Sequence, residues 1–159
     1  MGVNVSVKRM DEMLTAAYRS IIKVEELMLF DLSGGKLTLS EMHILESIGK
    51  RSGRSVTITD IAQDLEITLP SVTSMVKRLE LKGYITKDRS SEDGRRVHVV
   101  LTPTGRQAEI AHRYFRRKII REIIAELNVT EQTAILSGLE KMNGFIRERI
   151  GDYTAGKEE

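Results

Sequence analysis

The 159-residue chain has no cysteine and no tryptophan, only two prolines (Pro70 and Pro103), and aromatics at 4%. Without cysteine there can be no disulfide framework, thiolate metal site, cysteine nucleophile or thiol redox sensor. So few prolines and aromatics argue against a sandwich or barrel, which need frequent turn signals, and favour long helices. No apolar run approaches the roughly 18 residues of a membrane span, so no membrane partner is expected. Met1 to Asp11 lacks a compact apolar stretch and a cleavage signal, and a cytoplasmic location is the expectation. No phosphate loop, nucleophile elbow or paired-carboxylate arrangement stands out, so neither an enzyme nor a cofactor is expected. Glu25 and Glu26 are adjacent on one helix, point to different faces and cannot form a dyad. His43, His98 and His112 are far apart in sequence and form no i, i+4 pair, so no metal site is expected.

Charge is present in abundance, at 30% of residues, but the formal net charge is only +2. Its distribution says more than its sum. Residues 50–55 hold Lys50, Arg51 and Arg54 with no acid. Residues 77–96 hold seven basic and four acidic side chains, and residues 106–122 hold six and two. From Ala125 onward there are four basic and seven acidic. The middle of the chain is basic and its end acidic.

The periodicity predicts a helix over about Val5 to Phe30, with a stripe of Met10, Leu14, Ala17, Ile21, Val24 and Met28. Gly34-Gly35 breaks it. Thr38-Leu-Ser-Glu41 reads as a capping box opening a short helix to Gly49. Thr57-Ile-Thr-Asp60 is a second capping signal, leading into a helix through Leu65. Thr68-Leu-Pro70 starts the next, with proline in the first turn, where its missing N–H costs nothing. That helix should bury Val72, Met75, Val76 and Leu79 and end at Lys82-Gly83. The period then changes. Tyr84–Asp88 and Val97–Leu101 read as two strands joined across Asp93-Gly94, a hairpin signal. Thr102-Pro103 opens a long helix to about Leu127, and Thr130 opens a last one.

Helix, turn, helix, then a basic two-stranded hairpin is an arrangement with a physical use. The second helix of such a pair must enter a major groove about 12 Å wide, so its outer face must be slim and polar. With Val72, Met75, Val76 and Leu79 inward, Pro70, Ser74 and Lys77 point outward, flanked by Ser71, Thr73 and Arg78. Thr57 and Thr59 stand at the start of the preceding helix. Lys87, Arg89, Arg95 and Arg96 frame the hairpin, with Asp93 beside its turn. An arginine on so slender a hairpin can enter a narrow minor groove, and Asp93 can hold another in a fork. The three terminal helices carry apolar stripes that one copy cannot easily cover, which points to a second copy.

The motifs Thr57-Ile-Thr-Asp-Ile-Ala62, Ser71-Val-Thr-Ser-Met-Val-Lys-Arg-Leu79, Lys82-Gly-Tyr-Ile85, Asp93-Gly-Arg95 and Leu101-Thr-Pro-Thr-Gly105 stand in this order and spacing. The chain here resembles the MarR family of winged-helix transcription regulators, from about Met13 to Tyr153. Within it, Val24-Glu-Glu-Leu27 and Glu41-Met-His-Ile-Leu-Glu-Ser-Ile-Gly49 are similar to the FabT-type regulators of fatty-acid synthesis genes.

The resemblance implies a mainly α fold with a small two-stranded β wing. Residues 38–102 would form the winged helix-turn-helix, and residues 1–36 and 103–159 the dimerisation helices, within one domain. It places groove reading on Ser71, Thr73, Ser74 and Lys77, and the wing signature on Asp93 and Arg95. The expected partners are double-stranded DNA carrying a pseudo-palindromic operator and a second copy of the chain, with repression as the output. It also implies an effector site between the terminal helices and the winged helix, where Leu27, Phe30, Met42, His43 and Glu46 could converge. The FabT-type likeness makes the effector small or lipophilic, a fatty acyl chain free or on acyl carrier protein, with Lys50, Arg51 and Arg54 as a nearby basic patch. The competing readings are a helical protein-interaction module and a small enzyme without nucleic-acid binding. The first has no need of arginines on a hairpin, and the second lacks a titratable cluster.

Overall fold

A computed structural model describes residues 6–51, 56–88 and 98–155. In chain order the elements are α1 (Val7–Ser33), α2 (Leu39–Gly49), β1 (Val56–Thr57), α3 (Ile58–Leu65), α4 (Leu69–Leu81), β2 (Ile85–Asp88), β3 (His98–Leu101), α5 (Pro103–Ala125) and α6 (Val129–Ala155). Among the described residues no helix is long and apolar enough to cross a membrane.

Helix starts are set by side-chain oxygens. Ser6 accepts the Arg9 N–H ahead of α1. Thr38 and Glu41 exchange bonds in a reciprocal box ahead of α2, and Thr57 and Asp60 do so ahead of α3. Thr68 accepts the Ser71 N–H ahead of α4. Asn128 and Glu131 bond reciprocally at the start of α6, at 2.9 and 3.0 Å. Each cap satisfies N–H groups that a helix cannot bond internally, worth about 1 kcal/mol apiece. α1 runs three residues past the predicted Phe30 and stops at Gly34, whose left-handed φ of 59° glycine adopts without cost. Glu66 closes α3 in the same region of backbone space, at φ 54°, which a residue with a Cβ adopts at a cost of about 1 kcal/mol.

The wing departs from the expected two strands. β1 joins the pair, and the antiparallel sheet has the order β1-β3-β2, with Val56 opposite Val99 and Ile85 opposite Leu101. β1 is only two residues long and runs directly into the capping Thr57, so it shows no alternation a sequence could reveal.

The chain divides into two compact units, residues 1–116 and 117–159. The first holds the core: Met42, Ile44 and Leu45 of α2, Val56, Ile61 of α3, Val72 and Leu79 of α4, and Val99 are all fully buried. Each such aliphatic side chain contributes about 1.5–3 kcal/mol. α1 buries Leu29 but leaves Met10, Leu14, Tyr18, Ile21, Leu27 and Phe30 exposed. In the second unit a hollow of about 420 Å³ lies between α5 and α6, walled by Ile120, Ile123, Ile124, Leu127, Ile135, Leu136 and Leu139 and by Gln132. Gln132 Nε2 donates to the carbonyls of Ile124 and Leu127, at 3.1 and 2.9 Å, satisfying the end of α5.

Candidate nucleic-acid interface

α3 and α4 form a tight pair joined by Glu66, Ile67 and Thr68. α4 turns Val72, Met75, Val76 and Leu79 inward. Its outer side carries Pro70, Ser71, Ser74, Lys77 and Arg78, all exposed, with Thr73 half-buried beside them. The hydroxyls are not equivalent. Thr73 Oγ1 donates to the Leu69 carbonyl at 2.8 Å, which occupies its hydrogen. Ser71 Oγ shares a hydrogen with Thr68 Oγ1 at 2.9 Å. Ser74 Oγ accepts from Arg78 Nη1 at 3.0 Å.

The cations differ as much. Glu41, 1% exposed, accepts from Lys82 Nζ at 2.7 Å and from Arg78 Nε at 3.3 Å. Burial pushes the Glu41 carboxyl up, but the bonds from Lys82, the Thr38 N–H and Arg78 outweigh it and hold it below the usual range. Lys87 is paired with Glu80. Lys50 holds Asp64 at 3.0 Å and Arg51 holds Asp60 at 3.2 Å. Lys77 makes no ion pair among the described residues. Thr57 is committed to its cap, with its hydroxyl donating to Asp60 Oδ2 at 2.7 Å, while Thr59 is exposed. The bonds from Thr57 hold the Asp60 carboxyl down. Arg54, Arg89, Asp93, Arg95 and Arg96 lie outside the described residues.

The five residues expected at an effector site have different settings. Met42 is a fully buried core residue, and Leu27 and Phe30 are exposed on α1. His43 lines a hollow of about 320 Å³ with Ser40, Leu65, Ile67, Ser71 and Met75, directly beside α4. Burial pushes the His43 imidazole down, against the opposing charges of Glu46 and Glu25. Glu46 belongs instead to a polar cluster that the sequence did not announce. It accepts from His112 Nδ1 at 2.9 Å and lies 3.4 Å from Arg116 Nη1, while Arg116 Nε donates to Glu25 at 2.9 Å. Burial raises the Glu46 carboxyl, but the His112 bond and the Arg116 charge bring it below the usual range. The cluster ties α1, α2 and α5 together, and His112 is wholly buried within it.

A slim, polar second helix, an antiparallel hairpin after it and a first helix braced behind it define a winged helix-turn-helix. The MarR family pattern matches residues 37–97. Streptococcus pneumoniae FabT, solved in complex with DNA, is 31% identical, covers 90% of this chain and 99% of its own, and superposes with a TM-score of 0.84. The chain belongs to the MarR family. Staphylococcus aureus MepR, solved as a DNA complex, shares the fold at 21% identity and a TM-score of 0.67 over 90% of this chain and 99% of its own. The HTH-type transcriptional regulator YhjH of Bacillus subtilis is 27% identical over 59% of this chain, and SarU of Staphylococcus aureus 30% over 70%. The matched region spans about half the length of YhjH and two-fifths of SarU, at 54% and 39%.

Proposed function

We propose that the protein is a homodimeric, sequence-specific DNA-binding transcription regulator, acting as a repressor on a pseudo-palindromic operator. The observation that carries this reading is the outer face of α4. It is narrow, hydroxyl-rich toward its N-terminus, and followed by Lys77, which makes no ion pair among the described residues. Residues 1–36 and 103–159 are assigned to dimerisation because α1, α5 and α6 expose runs of apolar side chains that a second copy would cover. Two reading helices related by a two-fold meet one face of the duplex about 34–36 Å apart. From the sequence alone, the basic hairpin of Arg89, Arg95 and Arg96 is assigned to the minor groove, with Asp93 suited to pair one arginine and leave another free to insert.

The effector in this reading is small and lipophilic, a fatty acyl chain being the type that the FabT-type likeness favours. The hollow beside His43 supports such coupling, since an occupant there would touch Ser71 and Met75 of α4. Lys50 and Arg51 are already paired with acids, which favours a free ligand over an acyl carrier protein.

The test is retention of a randomised duplex library across a salt series. Selective retention that falls steeply with salt is expected, because each neutralised phosphate releases counterions. Absence of both selectivity and salt dependence would remove the reading. Adding a long-chain fatty acid, free or on its carrier, should change the retained fraction.

A further inference from the structure

Ser74 is held in a way that the other hydroxyls of α4 are not. Arg78 Nη1 donates to Ser74 Oγ at 3.0 Å, and Arg78 Nε donates to Glu41 Oε1 at 3.3 Å. Glu41 is fixed in turn. It is buried, bonded by Lys82 Nζ through both oxygens at 2.8 and 2.7 Å, and accepts the Thr38 N–H at 3.0 Å. The guanidinium is therefore a planar strut between a buried anchor on α2 and a hydroxyl on the exposed side of α4. Lysine, with a single nitrogen on a flexible stem, does not reproduce that fork.

A serine oxygen has one hydrogen to give and two lone pairs to receive. A guanidinium has donors only, so it occupies one lone pair of Ser74, fixes the oxygen in place, and leaves the hydrogen and the second lone pair free. Among the described residues Ser74 gives that hydrogen to no acceptor, whereas Thr73 gives its own back to the Leu69 carbonyl.

We infer that Arg78 is a positioning residue that holds the Ser74 hydroxyl on the outer side of α4 in one orientation, so that Ser74 reads one base edge. Purine N7, guanine O6 and thymine O4 can take its hydrogen, and an amino group can use its remaining lone pair, so the fixed orientation and not the hydroxyl alone decides which edge is met. This rests on the reading of α4 as the groove helix.

The test uses the full chain and a randomised duplex library, with the retained sequences counted for wild type, Ser74→Ala, Arg78→Gln, Arg78→Lys and the Ser74→Ala/Arg78→Gln double variant. Wild type should show a base preference of about three- to tenfold at one position in each half-site, the worth of one hydrogen bond. Ser74→Ala and Arg78→Gln should each flatten that same position, and the double variant should go no further. Arg78→Gln should keep the wild-type salt slope, because the Arg78 guanidinium is held by Glu41 and Ser74, whereas Lys77 makes no ion pair among the described residues. If Arg78→Gln instead weakens all sequences alike and makes the slope shallower by about 1, Arg78 is a phosphate contact and the inference is overturned. Full restoration by Arg78→Lys would overturn it too, since charge alone would then suffice. If wild type selects a sequence and Ser74→Ala changes no position, the inference fails while the DNA-binding reading stands. If wild type selects nothing, that reading fails with it.

Discussion

A methyl group at Gly105 would lie 1.9 Å from the carbonyl oxygen of Tyr84, so the first turn of α5 meets the entry to β2 backbone against backbone. Thr102 seals the contact. Its N–H donates to the same Tyr84 oxygen at 3.1 Å, and its hydroxyl donates to the Gly83 carbonyl at 2.7 Å. Gly105→Ala must therefore displace backbone rather than a flexible side chain, at about 1–3 kcal/mol or more. Thermal unfolding measures it, with Gly138→Ala on α6 as the control. No atom lies within 4 Å of a Cβ at Gly138, so that substitution should leave stability unchanged or raise it by about 0.5–1 kcal/mol. Equal effects at the two glycines would contradict the close approach.

Glu41 predicts a pH dependence. Its carboxyl is held below 4.5 in the folded protein, so the unfolded chain binds a proton more readily. The stability it contributes is fully present above about pH 4.5 and is lost as pH falls through the folded value. Glu41→Gln should cost about 1–3 kcal/mol at pH 7, and the gap to wild type should narrow as the pH is lowered below 4.5. A gap independent of pH would mean that the carboxylate charge contributes nothing.

These two sites mark where the sequence was readable and where it was not. Helical spacing and capping patterns are local, so the buried side of α4 and the caps at Thr38 and Thr57 stand in the structure as expected. The same Glu41 also anchors Arg78 and Lys82 from a different helix, and no spacing within α2 announces that. The Glu25–Glu46–His112–Arg116 cluster is illegible for the same reason, since its members come from three helices far apart in the chain. Met42 reads as a pocket wall only through the family likeness. Its position in the core is decided by which way α2 faces, a tertiary property.

Lys77 and Lys87 should separate by their partners. Lys77→Ala should weaken DNA binding and make the salt slope shallower by about 1, whereas Lys87, already paired with Glu80, should change it less. Arg95→Ala should weaken operator binding strongly while stability moves by less than about 0.5 kcal/mol. Wild-type affinity in both the Lys77 and Arg95 variants would remove the groove assignment.

The apolar stripe of α1 should hold two copies together. Leu14→Glu and Ile21→Glu place charges where side chains are 43% and 56% exposed in the single copy, so they should barely affect its core. Light scattering should show a dimer for wild type and a shift toward monomer for the double variant, with operator affinity lost in step. A wild-type monomer at micromolar concentration would contradict the assignment.

The capping oxygens at Ser6, Thr38, Thr57, Thr68 and Asn128 each act within three residues of their own position. The helices are thus specified before any distant contact forms, whereas the pairing of Val56 with Val99 must close a long loop. Assembly should accordingly be quick in its helical middle and finish by stitching β1 onto the sheet. Val56→Ala should speed unfolding and leave the refolding rate nearly unchanged, and a chevron in which the refolding limb falls instead would put β1 at the start of the pathway.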